Sequence, residues 1–208
     1  MKSKGTRYNS NRSRKTDVNS RAIRDSFFDI IWKSAKMADV KINDLNQYYK
    51  EEFKEKSWSE YEATYIAILY KELTESLDYK MITMENQAES QKKGVNGKKY
   101  DIWITKGELS FILEVKRFGV RRTGSLKSVN NKGGIYGDLL KLDDLIKTLI
   151  KNNPHTYGIA IGFFEGNDSI ILDDIESKLD HKIWEILDEE SKLKLLICAN
   201  GKCKYVGD

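Results

Sequence analysis

The spacing of hydrophobic positions along the chain predicts helices on either side of a group of strands. Apolar residues recur every three or four positions over 20–55, with a separate short helix near 45–53, and again over 57–76, 137–152 and 173–189. Short runs of β-branched and aromatic residues predict strands at 79–86, 99–104, 109–116, 156–164 and 193–199. The resulting order, α-β-β-β-α-β followed by one more helix and strand, indicates an α/β protein with a mixed central β-sheet flanked by helices.

Length and composition fit one folded domain. The chain has 208 residues, of which 39% are hydrophobic and 33% charged. Residues 1–19 carry several Lys and Arg and no acid before Asp17, which predicts a flexible basic arm. We expect residues 20–208 to form a single domain. It would consist of a helical extension at 20–56, a central core at 57–165, and a C-terminal helix and strand at 166–208.

The sequence contains no signal for a membrane or for secretion. No apolar run approaches the roughly 18 to 20 residues of a membrane span, and the N-terminus lacks the apolar segment of a secretory signal. We therefore expect a cytoplasmic protein without membrane contact. Cys198 and Cys203 have no second pair at zinc spacing, and in a cytoplasmic protein we expect one core thiol and one surface thiol rather than a disulfide.

Three charged residues fall on two adjacent predicted strands. Glu114 and Lys116 are two positions apart and therefore project from the same face of their strand. If the preceding turn centres on Gly107 and Glu108, Asp101 lies directly opposite Glu114. If the turn centres one residue earlier, the two carboxylates are diagonal neighbours. Both registers place all three charged residues on one face of the sheet.

Two carboxylates held together need a compensating charge. At about 4 Å and an effective dielectric near 20 they would repel by about 4 kcal/mol, and a divalent cation reverses that sign. Oxygen ligands suit Mg²⁺ or Mn²⁺, which keep some waters and accept phosphate oxygens, while Lys116 could stabilise charge on a phosphate. A surface salt bridge between Glu114 and Lys116 is the simpler interpretation. A third interpretation is an unrelated α/β protein in which Asp101 and the Glu114-Val115-Lys116 triplet occur by chance, and it predicts that Asp101 and Glu114 lie on opposite faces of the sheet.

The segment that follows this strand is basic. Residues 117–137 contain no acid, and with the next helix they supply candidate nucleic-acid contacts at Arg117, Arg121, Arg122, Lys127, Lys132 and Lys141. Such a concentration of positive charge beside a phosphate-directed site favours a polyanionic substrate. For Lys141 the alternative is an ordinary exposed position on a helix.

These motifs resemble the PD-(D/E)xK nuclease superfamily. Tyr100-Asp101 is followed by the triplet Glu114-Val115-Lys116 inside an α-β-β-β-α-β order, and the resemblance covers roughly residues 57–165. Tyr100 stands where the eponymous proline would be. The resemblance implies a restriction-endonuclease-like core, Asp101 and Glu114 as metal ligands, the Val115 carbonyl as a further ligand, and Lys116 as the catalytic lysine.

The family often adds a carboxylate from the helix before the sheet. Glu62 is our choice for this catalytic and metal-binding position, with Glu60 as its competitor. Glu85 could also point into the site or lie at an exposed strand end. The resemblance implies a Mg²⁺-dependent endonuclease, with Mn²⁺ as a substitute, acting on DNA in preference to RNA. A restriction-type enzyme leads. A Holliday-junction resolvase, a repair or mobile-element nuclease, and a non-cleaving nucleic-acid-binding or assembly protein remain open, and cutting both strands would favour a homodimer or larger assembly.

Overall fold

The computed structural model describes residues 10–53, 62–84, 100–118, 129–165, 172–187 and 191–207, without the side chains of 10–20 and 53. The helices are α1 (Ser10–Phe53), α2 (Glu62–Ser76), α3 (Ile135–Leu149), α4 (Leu172–Ser177) and α5 (His181–Ile186). The strands are β1 (Ile82–Met84), β2 (Ile102–Lys106), β3 (Leu109–Phe118), β4 (Thr156–Phe164), β5 (Leu193–Ala199) and β6 (Lys202–Tyr205). A 3₁₀ turn at Tyr79–Met81 leads into β1.

The six strands form one mixed sheet in the order β1-β2-β3-β4-β5-β6. β3, β4 and β5 are parallel, and the three other pairings are antiparallel. Parallel neighbours need a crossover connection, and α3 joins β3 to β4 while α4 and α5 lie between β4 and β5. The α/β class and the mixed sheet flanked by helices are therefore confirmed.

The sheet has a hydrophobic core on each face. Ile102, Ile104, Phe111 and Leu113 belong to the core beneath α1 and α2. The alternate residue Ile112 belongs to the opposite core, which packs against the three later helices. Burial on both faces explains why β3 reads as a continuous apolar run rather than as an alternation.

Several predicted boundaries were wrong. α1 is one continuous helix of 44 residues, so residues 10–19 of the predicted flexible arm are helical, and no separate helix begins near residue 45. The predicted first strand, 79–86, begins as a 3₁₀ turn, and its described part pairs with β2 at Ile82–Met84. The predicted helix over 173–189 is two short helices. Within the described ranges, no helix is both long and apolar enough to cross a membrane.

The expectation of two separate thiols was also wrong. Cys198 and Cys203 face each other across the β5–β6 hairpin and form a disulfide, with their Cα atoms 4.1 Å apart. Their turn is Asn200-Gly201, and both residues have positive φ, 52° and 72°. Asn-Gly is the preferred sequence for this tight hairpin turn. The Asn200-Gly201 dipeptide indicates this hairpin in the sequence, whereas the expected cytoplasmic location argued against a disulfide and was the reason for the wrong prediction.

Candidate active site

β3 brings the candidate catalytic residues to its carboxyl end. Residues 109–115 are all buried because β3 has a neighbour on each side and helices on both faces, whereas Lys116 and Arg117 are half-buried. Glu114 is only 4% exposed. A charged carboxylate at that depth needs partners, because burial without compensation is costly.

The β2–β3 hairpin has the first of the two predicted registers. Ile102 pairs with Leu113, so Asp101 lies level with Glu114, and Gly107 takes the positive φ of 60° that the turn requires. Residues that lie opposite each other in an antiparallel pair share a face. Asp101 and Glu114 are therefore on the same face, and the arrangement with the two carboxylates on opposite faces is not what the structure contains.

Asp101 is held in place by the backbone of the neighbouring strand. Its Oδ2 accepts a hydrogen bond from the Val115 N–H at 2.7 Å. Burial raises the pKa of Asp101, while this hydrogen bond and the Lys141 charge oppose the rise. The Val115 side chain packs into the core beneath α1 and α2, so only the backbone of Val115 can serve the site.

Glu114 meets a lysine from α3. Lys141 Nζ lies 2.6 Å from Glu114 Oε1, yet this oxygen has no hydrogen-bond donor in good geometry, so the contact is a charge pair. Burial raises the pKa of Glu114 to about 8, with Lys141 opposing the rise and Asp101 adding to it. Lys141 is thus part of the site, and the alternative of an ordinary surface lysine is wrong.

Lys116 is contacted by Glu62 rather than by Glu114. Glu62 is the first residue of α2, and its Oε2 lies 3.4 Å from Lys116 Nζ and accepts the Arg117 N–H at 3.3 Å. The simple salt bridge between Glu114 and Lys116 is therefore not what the structure contains. Glu62 reaches the site through Lys116, with a side chain that is 41% exposed.

The sequence reading missed Asp138. This residue lies in the first turn of α3, and its Oδ2 is buried without a hydrogen-bond partner in the described part of the chain. Burial raises the pKa of Asp138 to about 6, opposed by the charges of Lys116 and Lys141. Its spacing of three from Lys141 on a predicted helix placed both on one face, which could have identified it.

Two close packing contacts fix α3 over the site. A Cβ on Gly137 would lie 1.9 Å from the Lys132 carbonyl oxygen, so only glycine lets the preceding turn pack against the helix. A Cβ on Gly162 of β4 would lie 2.7 Å from the Ile135 side chain. The two glycines therefore set the position from which Asp138 and Lys141 reach β3.

The donor set partly fits a divalent cation. Among the described residues, no three His, Cys, Asp or Glu side chains are arranged to hold a metal. Mg²⁺, however, is usually bound by one or two carboxylates together with waters and substrate phosphates. Asp101 and Glu114 are two such carboxylates, and the buried Glu114 Oε1 and Asp138 Oδ2 lack directed hydrogen bonds. Buried acceptors without donors are what a small cation would satisfy.

Arg117 belongs to a different set of contacts, on the opposite face from Lys116. Its Nε and Nη2 bind the two carboxylate oxygens of Glu165 at 3.0 and 2.9 Å, and Tyr65 OH donates to the same carboxylate. The hydrogen bonds that Arg117 donates to Glu165 raise the pKa of Arg117, with burial opposing the rise. We call Tyr65, Glu165 and Arg117 the Glu165 network. It gives the Arg117 side chain a structural partner in place of the predicted phosphate.

The other predicted site residues lie either at the surface or outside the described part of the chain. Lys132 is exposed in the turn before α3. The other predicted contacts and the two competing carboxylates lie outside the described residues: Arg121, Arg122, Lys127, Glu60 and Glu85.

No family model, curated protein or solved structure matches this chain. The candidate site is therefore defined by geometry alone, through the residues that β2, β3, α2 and α3 bring together. Three carboxylates, Asp101, Glu114 and Asp138, are close enough to interact electrostatically, with Lys116 and Lys141 beside them. A site of this kind can bind a cation and place ammonium groups beside an anionic substrate.

Proposed function

We propose that the protein is a divalent-metal-dependent nuclease that hydrolyses phosphodiester bonds in DNA, as an endonuclease of restriction type. The observation that carries this proposal is the β2–β3 register. It sets Asp101 level with the buried Glu114, with Lys116 two residues further along the same strand. A strand end of this composition has the oxygen ligands for Mg²⁺ or Mn²⁺ and a cation for the phosphate.

The order of elements supports the same proposal. α2, β1, β2, β3, α3 and β4 follow each other as α-β-β-β-α-β, with two antiparallel pairings and then a parallel one. This is the order expected from the resemblance to the PD-(D/E)xK superfamily. We therefore propose a restriction-endonuclease-like core built on α2 to β4, with α1 as an N-terminal addition.

In the proposed mechanism, Asp101, Glu114 and the Val115 carbonyl would hold the cation. When bound, Mg²⁺ or Mn²⁺ supplies Lewis-acid activation of the phosphate and of a water. The Lys116 ammonium stabilises the negative charge that develops at phosphorus. Glu62 contacts Lys116 at 3.4 Å and orients it. The Val115 N–H fixes the Asp101 carboxylate, so that little reorganisation is needed when substrate binds.

The charge distribution favours DNA as the substrate. Lys132 is exposed on the turn that leads from the basic segment to α3, next to the site. Positive charge around a phosphate-directed site supplies the sequence-independent part of nucleic-acid binding. Cutting both strands of a duplex would favour a homodimer or a larger assembly, because the described part of one chain contains one such site.

Cleavage assays test the proposal directly. Supercoiled plasmid, a branched junction and a single-stranded RNA are incubated with Mg²⁺, Mn²⁺ or EDTA and with wild type, Asp101→Asn or Lys116→Met. Metal-dependent cutting that both substitutions abolish supports the nuclease. Discrete plasmid fragments support the restriction-type activity, and products from the junction alone would replace it by a resolvase. Lys147→Met is the matched control, because Lys147 is an exposed α3 lysine in a surface salt bridge with Asp143.

One observation favours a second function, a nucleic-acid-binding protein that does not cleave. Lys141 already neutralises Glu114, and a permanent pair of this kind would leave the site unable to take a cation. Such a protein would bind DNA equally well in Mg²⁺ and EDTA and would cut none of the three substrates. An electrophoretic mobility shift measured alongside the cleavage assay separates the two functions.

A further inference from the structure

The contact between α3 and β3 suggests how the candidate metal site behaves without its cation. Lys141 and Glu114 lie 2.6 Å apart, with side chains 32% and 5% exposed. We infer that Lys141 is a built-in counter-ion, whose ammonium group occupies the cation-binding side of Glu114 until a divalent cation displaces it. This inference rests on the proposed function, because it concerns the same site.

The geometry of the pair distinguishes it from a structural ion pair. Lys41 and the buried Glu72 form a directed hydrogen bond between α1 and α2 at 2.5 Å. Glu114 Oε1 has the Lys141 charge beside it but no directed hydrogen bond. Charge attraction therefore holds Lys141 beside Glu114, with its ammonium group 2.6 Å from an oxygen that a cation would use.

Lys141 also has another carboxylate within reach of its charge. Asp138 lies one turn earlier on α3, its Oδ2 is buried without a hydrogen-bond partner among the described residues, and it interacts electrostatically with Lys141. Residues three apart on a helix are neighbours on its surface. The ammonium can therefore leave Glu114 without losing every acidic neighbour.

The formal charge of the cluster leaves room for a dication. Four carboxylates, those of Glu62, Asp101, Glu114 and Asp138, face two ammonium groups, those of Lys116 and Lys141. With every group ionised, the cluster carries two negative charges in excess, which one divalent cation balances. Lys141 thus offsets part of the repulsion among the carboxylates. Moving its ammonium group away from Glu114 reduces the net free energy of cation binding.

Binding of Mn²⁺ alone tests the inference without relying on cleavage. The free ion is followed by its electron paramagnetic resonance signal during titration of wild type, Lys141→Met, Lys141→Arg and Asp101→Asn. Lys141→Met keeps the length of the side chain and removes its charge. We expect it to bind Mn²⁺ at least about ten-fold more tightly than wild type, since close buried charge pairs couple by that much or more.

Two controls separate the local charge from other effects. Lys147→Met makes the same change of net charge on the exposed part of α3 and should leave Mn²⁺ affinity within about two-fold of wild type, because exposed charges interact weakly. Lys141→Arg retains the positive charge and should not tighten binding. Near-ultraviolet circular dichroism and thermal unfolding of each variant in EDTA show that the titrations compare folded proteins.

The outcomes distinguish this inference from the proposed function. Tighter binding by Lys141→Met alone supports the inference. If wild type binds Mn²⁺, Asp101→Asn does not, and Lys141→Met binds no more tightly than wild type, the counter-ion role is overturned while the metal site stands. If neither wild type nor folded Lys141→Met binds Mn²⁺, both the counter-ion role and the metal-dependent function are overturned.

Discussion

Two groups of buried charges lie where β3 and β4 end, and they differ in how completely their polar atoms are paired. In the Glu165 network, Arg117 binds both carboxylate oxygens and Tyr65 donates to one of them. In the Glu114 cluster, made of Asp101, Glu114, Lys116, Asp138 and Lys141, two buried carboxylate oxygens lack directed hydrogen bonds. The first group is complete as it stands, and the second is not.

We interpret this difference as one between a structural role for the Glu165 network and the proposed functional role of the Glu114 cluster. A satisfied buried network ties elements together, here α2 to β3 and to the residue after β4. A buried hydrogen-bond acceptor without a donor lowers the stability of the folded state. Natural proteins retain such destabilising groups mainly at functional sites. Two glutamates of similar burial, Glu165 and Glu114, should therefore respond in opposite ways to the same substitution.

The largest effect is expected on cleavage from Asp101→Asn. The amide keeps an oxygen to accept the Val115 N–H, but it removes the charge that would hold the cation. We expect the rate of plasmid cleavage to fall by at least about 10²-fold, the loss typical of removing one electrostatic contributor from an active site. Asp143→Asn, at a half-buried α3 aspartate that pairs with Lys147, serves as the control and should leave the rate unchanged. Equal rates for wild type and Asp101→Asn would remove the cluster from the reaction.

Glu165→Gln should destabilise the fold. The substitution leaves the Arg117 guanidinium, whose side chain is 22% exposed, without its carboxylate partner. We expect the free energy of unfolding to fall by about 3 kcal/mol, the lower end for breaking a buried pair, because Arg117 retains some contact with water. Urea unfolding followed by circular dichroism measures this. A loss below about 1 kcal/mol would class the pair with surface salt bridges.

At neutral and alkaline pH, Glu114→Gln should raise the free energy of unfolding, whereas Glu165→Gln lowers it. The pKa of Glu114 is raised from 4.5 to about 8, so between these values the folded state keeps a proton that the unfolded state releases. Stability then falls as pH rises through this window, by up to about 1.4 kcal/mol per pH unit for this group. The glutamine variant lacks this decline, so we expect it to be more stable than wild type near pH 8.

The measurement is urea unfolding in EDTA at a series of pH values from 4.5 to 8.5. The contribution of Asp39, whose pKa is also raised by burial to about 6, largely cancels in the difference between wild type and variant. The contribution of Asp138 does not cancel, because Asp138 interacts electrostatically with Glu114 and belongs to the same cluster. If the free energy of unfolding depends on pH in the same way in wild type and Glu114→Gln, the Glu114 carboxylate is paired as fully as that of Glu165. The proposed difference between the two groups would then be wrong.

Part of this comparison could be predicted from the sequence. The β2–β3 hairpin followed from the apolar alternation and from the turn at Gly107, and with it the shared face of Asp101 and Glu114. Local patterns carry this information because strand register is set by neighbouring residues and by the turn between them. The same patterns predicted β4 and β5 with their observed bounds.

The contacts that distinguish the two groups depend on tertiary packing. Glu165 and Tyr65 are 100 residues apart, and the position of Lys141 depends on how closely α3 packs on β4 over Gly162. No periodicity in the sequence specifies such approaches. Arg117 was consequently predicted as a phosphate contact from its charge alone. Because Arg117 directly follows Lys116 on β3, its side chain points to the opposite face of the sheet from Lys116.

The smallest effect is expected from Glu62→Gln, which decides whether Glu62 acts on the metal or on Lys116. Glu62 Oε2 lies 3.4 Å from Lys116 Nζ, and the side chain is 41% exposed, so stability should change by less than about 1 kcal/mol. If Glu62 orients Lys116, cleavage should slow by about ten-fold or less while Mn²⁺ affinity stays at the wild-type value. Loss of Mn²⁺ affinity would instead make Glu62 the third carboxylate ligand. Glu75→Gln, at an exposed α2 glutamate paired with Lys71, is the matched control for both measurements. Retained Mn²⁺ affinity with slower cleavage would mean that the Glu114 cluster uses its ammonium groups as well as its carboxylates in the reaction. The Glu114 cluster would then differ from the Glu165 network in the role of its cations as well as in the pairing of its carboxylates.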